Sequence, residues 1–315
     1  MTSAPATRGR ARRGTALVDA LLAAVLGALV LAAALSVAVR VARASHEHDA
    51  RAAARAQLEQ AAGALTADLR PITAAADGAD PSDLRALADT AVELTATVGG
   101  GVACAVTSVS STGSIVELAS VPDVPSAPTL VWWNTPPRTG DVAFFHDDAG
   151  TPSPADDRWT LRTVRTVSEG TTYCRSGPFA TATAAGTGPG ALRVRLALDP
   201  PVLPSTVGAG APVRVGRHRR YSLYRAPDGW QLGLREWDGS AWDGIQPAAG
   251  PFDTPGRRGL QLDAVDTSGT PVQGTPPQRV AAEIRVLLRA PCSARDPRLR
   301  CIDSTVAVIR PRGNR

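Results

Sequence analysis

The sequence predicts an α+β protein: one long N-terminal α-helix, half membrane-spanning and half amphipathic, packed on an antiparallel β-sheet head. Three features of the chain point to it. Residues Ala16 to Val39 form an apolar run interrupted by a single charge, Asp19. The Ala-rich segment that follows has no proline before Pro71 and places Leu58, Leu65, Leu69 and Ile72 on one helical face. Beyond it, short runs of alternating apolar and polar residues are bounded by turn residues. The expected divisions are a basic segment at 1–14, a transmembrane helix at 15–39, an amphipathic helix at 40–72 and a β-rich head at 73–315.

The apolar run is long enough to span lipid. At about 1.5 Å per residue it covers roughly 36 Å, against a hydrocarbon core of about 30 Å. A secretory signal has a shorter apolar region that ends at a small-residue cleavage site. Here the run passes straight into "RVARASHEHDARAAARAQLEQAAGALTADLRPI". One helix is therefore expected from about Thr15 to Arg70, roughly 84 Å long if straight. Pro71 has no backbone N–H to continue it.

In the head, "VELTATV", "GVACAVTSV", "SIVELAS", "DVAFFH", "RWTLRTVRTVS", "ALRVRLAL", "PVRVGRHRRYSLYRA", "WQLGLREW", "GLQLDAVD" and "RVAAEIRVLLRA" read as strands. The "PDG" at 227–229 reads as a hairpin turn, and so does the "GGG" at 99–101. "LRALADTAVELTATV" begins like a helix and ends like a strand.

The formal net charge is +5, and four of those charges, Arg8, Arg10, Arg12 and Arg13, lie in the first fourteen residues, which leaves +1 downstream. Nucleic acid is not an expected partner on this balance. Every basic residue is arginine. Four cysteines, Cys104, Cys174, Cys292 and Cys301, include no C-x-x-C pair, so zinc is not suggested. Outside the cytoplasm they are candidates for disulfides. Closing the short loop between Cys292 and Cys301 stabilises by roughly 2.5–3 kcal/mol in the chain-entropy model, with Cys104 and Cys174 left as the other pair.

A carboxylate at a helix centre in lipid costs on the order of 2.5–3.5 kcal/mol, and less near an interface. Asp19 is tolerated at an interface, but a cut between Gly14 and Thr15 would also give it a purpose. The new ammonium of a neighbouring copy could be neutralised by Asp19 when helices pack side by side. The sequence "RRGTALVD" followed by an apolar run resembles the prepilin leader of type IV pilins and type II secretion pseudopilins. The resemblance places Gly14 before the scissile bond, Thr15 at the new and N-methylated terminus, Leu17 and Val18 at the aliphatic pair, and Asp19 where the family has glutamate. Thr15 departs from the usual Phe and Ala16 from the usual Thr. Within the head, "RRYSLYRAPDGWQLGLREW", "GPFDTPGRRGLQLDAVDTSG" and "PPQRVAAEIRVLLRA" resemble J-type minor pseudopilins. The segment 100–200 resembles nothing nameable.

Other candidate chemistry competes with simpler roles. Asp147, Asp148, Asp156 and Asp157 surround a loop and are candidates for calcium, which some pseudopilins bind, but without the ligand spacing of a dedicated calcium loop. A solvated acidic turn is the default. His46 and His48 sit at i and i+2 of a helix and point apart, which disfavours one shared metal. "GTGPG" at 186–190 lacks the lysine and helix of a phosphate loop. The run Arg214 to Arg220, with His218 inside it, could meet phosphate or acidic partners, or be a solvated strand. Trp132, Trp133, Trp230, Trp237 and Trp242 could line a ligand groove or fill the core. No Ser-His-Asp set is legible. The expected role is therefore a non-enzymatic minor subunit of a pilus or pseudopilus, without cofactor. Its implied partners are prepilin peptidase, other pilin or pseudopilin subunits and inner-membrane lipid, with the head in the periplasm. An uncleaved, membrane-anchored periplasmic binding or sensor module is the alternative.

Overall fold

Good helix formers dominate residues 12–70, and nothing breaks them before Pro71. In the computed structural model they form one α-helix, α1, Arg12–Leu69. The structure describes residues 12–72, 83–110, 113–118, 132–147, 158–170, 193–204, 207–208, 210–272, 281–291 and 304–311. The chain divides into two compact units, Met1–Ala53 and Ala54–Arg315. In the first, every side chain described, from Ala16 to Ala53, is exposed. In the second, Leu58, Ala61, Leu65, Leu69 and Ile72 are buried, at the three- and four-residue steps that line one face of a helix. Gln57 and Gln60 fix the border of that face: Gln60 Nε2 donates to the Ala248 carbonyl at 2.9 Å and Gly250 N–H to Gln57 Oε1 at 3.1 Å.

Thirteen strands follow among the described residues. They are β1 Leu84–Ala88, β2 Ala91–Ser110, β3 Gly113–Leu118, β4 Trp132–Trp133, β5 Val142–Asp147, β6 Arg158–Gly170 and β7 Arg193–Asp199, then β8 Pro212–Ala226, β9 Gly229–Glu236, β10 Gln246–Phe252, β11 Leu260–Val265, β12 Glu283–Arg289 and β13 Ser304–Ile309. All pairings are antiparallel. The "PDG" hairpin forms as expected between β8 and β9.

Two long strands organise the head. The first half of β2 pairs with the second half of β8, from Ala91 opposite Ser222 to Thr97 opposite Gly216, and β1, β9 and β10 extend this into an open sheet. The remaining halves belong to a different structure. β2 pairs with β3, β3 with β7, β7 with β6, β6 with β5, β5 with β8, and β8 returns to β2, so six strands close into a barrel. Closure leaves these strands no open edge. The segment 100–200, unlike anything nameable as sequence, supplies most of this barrel.

Each part has its own core. Phe145, Val116, Leu118, Val164, Leu196, Leu198 and Val215 fill one cluster from barrel strands. The buried face of α1 joins the other cluster with Val92, Leu94, Tyr221, Leu232 and Phe252, together with Leu262, Ile284, Val286 and Ile309 from a second sheet of order β11-β12-β13. Aliphatic side chains carry both clusters, in keeping with an aromatic content of 4%.

Three sequence expectations are corrected here. "GGG" at 99–101 is no turn: β2 runs unbroken through it. The glycines serve close packing instead, since β4 lies across them and a Cβ on Gly99 would meet Trp133 Cε3 at 2.0 Å. The helix-like start of "LRALADTA" is strand β1, paired with β2, because the sheet supplies partners that a short isolated helix lacks. β10 and β13 were not expected; β10 contains two prolines and sits at a sheet edge, where missing N–H donors are tolerated.

Candidate functional site

The N-terminal site is simple. The backbone is helical from Arg12, so Gly14 and Thr15 lie in the first turn, with Asp19 exposed one turn on. Leu17, Val18, Leu21, Leu22, Val25, Leu26, Leu29, Val30, Leu31, Leu35 and Val37 surround the helix axis and are 50–71% exposed. One helix is thus long and apolar enough to cross a membrane. Arg8 and Arg10 lie outside the described residues, while Arg12 and Arg13 begin the helix. Past the apolar run, exposed i,i+4 ion pairs join Glu47 to Arg51 at 3.8 Å and Arg55 to Glu59 at 3.4 Å. His46 and His48 are exposed there.

In the head, the basic run of β8 is neutralised by the fold's own acids. Arg214 donates to both oxygens of Asp83 at 2.6 and 3.0 Å and lies 4.0 Å over the Phe144 ring. Arg217, only 3% exposed, grips both oxygens of Asp141 at 2.8 and 3.1 Å and reaches Glu236 at 3.2 Å. Arg219 bonds Asp68 of α1 at 2.9 Å and Glu236 at 2.9 Å, and Arg220 pairs with Glu93 at 3.1 Å. The Tyr221 hydroxyl donates to Asp68 Oδ2 at 2.7 Å. A charged seam therefore runs from Asp68 through Arg219, Glu236 and Arg217 to Asp141, the residue just before barrel strand β5. At its barrel end Gly140, at φ +87°, abuts the backbone of Gly239, where a Cβ would stand 2.2 Å from an amide nitrogen.

Burial and charge set the proton affinities along the seam. Burial works to raise the Glu236 carboxyl, but Arg219, then Arg217 and Arg138, outweigh it and hold it below the usual carboxylate range. Burial works to lower Arg217, and its bonds to Asp141 more than reverse this. Tyr221 is raised by burial first and by Asp68 second.

A groove opens beside the seam. Leu94, Arg219 and Tyr221 point toward α1, so strand alternation turns Glu93 and His218 to the opposite face of the sheet. There they meet Arg85 of β1 and the bridged pair Trp237 and Trp242, whose rings pack edge-on at 5.6 Å and 72°. The space between them is about 310 Å³. Arg85 Nη1 lies 3.2 Å from His218 Nδ1 and also against Nε2. Burial, then the charge of Arg85, pushes His218 down to about 4, so its ring is neutral at neutral pH. Of the five tryptophans considered as groove formers, only this pair lines it. Trp132 and Trp133 cover Gly99 and Gly100, and Trp230 is the second residue of β9.

Of the acidic-loop residues, Asp147 ends β5, buried and 3.3 Å from Arg158 Nε. Asp148, Asp156 and Asp157 lie outside the described residues, as do Cys174, Cys292, Cys301 and the glycine-rich stretch at 186–190. Cys104 is buried on β2 and disulfide-bonded. The sequence reading missed Arg85, Glu93 and the seam acids. One signal was available: a head of near-zero net charge containing a dense arginine run must hold carboxylates elsewhere to match it.

The chain matches no family model, no curated protein and no solved structure. Fold and site together define a class: an α+β protein with one long apolar N-terminal helix followed by an antiparallel β-sheet head. That layout is consistent with pilin-like architecture.

Proposed function

We propose that the chain is a minor pilin or pseudopilin subunit of a type IV pilus or type II secretion pseudopilus. Prepilin peptidase cuts between Gly14 and Thr15 and methylates the Thr15 amine, and the subunit enters a filament through its helix. The role is assembly, not catalysis. One observation carries this reading: the described part of the helix is apolar all round from Ala16 to Val39 with Asp19 as its one charge, while the same helix is amphipathic where it enters the head core. An all-round apolar surface suits lipid before assembly and neighbouring helices after it. Asp19 lies five residues from Gly14 along the chain, within reach of a neighbour's new terminus once helices are staggered side by side. The head stays on the periplasmic side of an inner membrane that the helix crosses once.

The experiment is to purify the protein from its native envelope and measure the intact mass and first residue. A mature chain beginning at methylated Thr15 supports the reading, and a chain beginning at Met1 overturns it. Replacing Gly14 with a bulky residue should leave the longer form.

The barrel built into β2 and β8 favours a second reading, a membrane-anchored binding or sensor module that keeps its leader. It predicts Met1 at the terminus in the same measurement.

A further inference from the structure

Arg85 of β1 differs from the arginines of the basic run in β8. Arg214, Arg217, Arg219 and Arg220 are all paired to acids of the head. Arg85 has no ion pair among the described residues; its guanidinium lies instead against the ring of His218. Glu93, whose charge reaches it through space, is already tied to Arg220 at 3.1 Å. His218 is neutral at neutral pH and offers Arg85 no counter-charge. A guanidinium is a planar fork of donors that fits a carboxylate with two parallel bonds. Beside it, Trp237 and Trp242 form an apolar wall, and Glu93 and His218 supply polar atoms that can meet hydroxyl groups. The space of about 310 Å³ is at the small end of ligand sites, which run from about 300 to 1,000 Å³, and suits a single ring.

We propose that this groove binds an acidic sugar, its carboxylate on Arg85, its hydroxyls on Glu93 and His218, and the C–H face of its ring against Trp237 and Trp242. Such a ligand gives Arg85 the counter-charge it lacks among the described residues, and its ring has both faces the groove offers: apolar C–H and polar hydroxyl. The inference is independent of how the N-terminus is processed.

The test uses the full chain in detergent micelles, titrated with glucuronate and, as controls, glucose and acetate, with ligand-observed NMR and tryptophan fluorescence as readouts. Glucuronate should saturate, and glucose and acetate should each bind at least about tenfold more weakly. Arg85→Gln, at an exposed position, should keep the wild-type melting temperature and lose at least about tenfold in glucuronate affinity. Trp242→Phe should weaken binding by a smaller factor, and Arg85→Lys should retain part of it. Glucose or acetate binding as well as glucuronate would overturn the proposal. So would no saturable response, or a folded Arg85→Gln protein with undiminished affinity.

Discussion

Residues 16–53 and 54–69 belong to one helix and are both rich in alanine and leucine, yet they meet opposite fates. In the first stretch the large apolar side chains point in every direction and are 42–71% exposed. In the second they occupy one face, and Leu58, Leu65 and Leu69 are 0–2% exposed. The difference lies in arrangement, not composition. A one-sided apolar stripe is what a protein core asks of a helix, whereas an all-round apolar surface asks for a solvent that is itself apolar. In water that exposed surface would carry a large hydrophobic penalty, at about 25 cal/mol per Å².

The sharpest way to break this comparison is to put the same charge in both stretches. Leu65→Asp buries a carboxylate in the head core and should destabilise the head by more than about 4 kcal/mol, enough to leave it unfolded. Leu29→Asp should leave the melting temperature of the head unchanged and act only on membrane integration, at about 2.5–3.5 kcal/mol. Thermal melting by circular dichroism and alkaline extraction of membranes read the two effects separately. If Leu29→Asp lowered the head's melting temperature as Leu65→Asp does, the division of the helix would be wrong.

Charge pairs sharpen the same contrast at a lower magnitude. Asp141→Ala strips the nearly inaccessible Arg217 of its bidentate partner and should cost about 3 kcal/mol. Arg51→Ala removes an exposed i,i+4 pair with Glu47 and should cost less than about 0.5 kcal/mol. Between them lies Asp68→Asn, which weakens the bonds from Arg219 and Tyr221 to the helix and should cost about 1–3 kcal/mol. Chemical denaturation of the three variants should rank them in that order.

How much of this was legible in the sequence follows from the range of each signal. The helix, its end at Pro71 and the buried positions Leu58, Leu65, Leu69 and Ile72 are local patterns of period 3.6, and they read correctly. Most strands and the "PDG" hairpin are likewise local. The triple glycine misled because glycine has two uses, sharp turns and close approach. Only the distant Trp132 and Trp133 decide between them. The barrel was illegible because its closure depends on which strand meets which across the chain, and alternation alone does not encode that. The seam was half legible: the arginine run stood out, but Asp68, Asp83 and Asp141 lie 76 to 151 positions away from their arginines. The groove combines both failures, since Arg85 sat in a segment read as helix and its neighbours come from three other parts of the chain.

An effect between those of Asp141→Ala and Arg51→Ala in size concerns pH and separates the groove from the seam. His218 is held at about 4 in the folded head, below the ordinary histidine value of about 6.5. Between those values the unfolded chain takes up a proton that the folded chain refuses, so stability falls as pH drops from about 6.5 toward 4. Glu236 has the carboxylate pattern: its lowered value gives stability that is present above the unfolded carboxylate range and lost only as pH falls through its folded value. From pH 6.5 down to about 5, then, the groove histidine acts while the seam carboxylate stays charged in both states. Across that interval the wild-type head should lose about 1 kcal/mol that His218→Asn does not lose, at about 1.4 kcal/mol per unit of proton-affinity difference and allowing for partial solvent access. Melting temperatures of the two proteins should diverge on acidification to pH 5, with the wild type falling faster. Parallel curves would mean that His218 meets water more freely than its place against Arg85 implies, and that the groove is more open than its walls suggest.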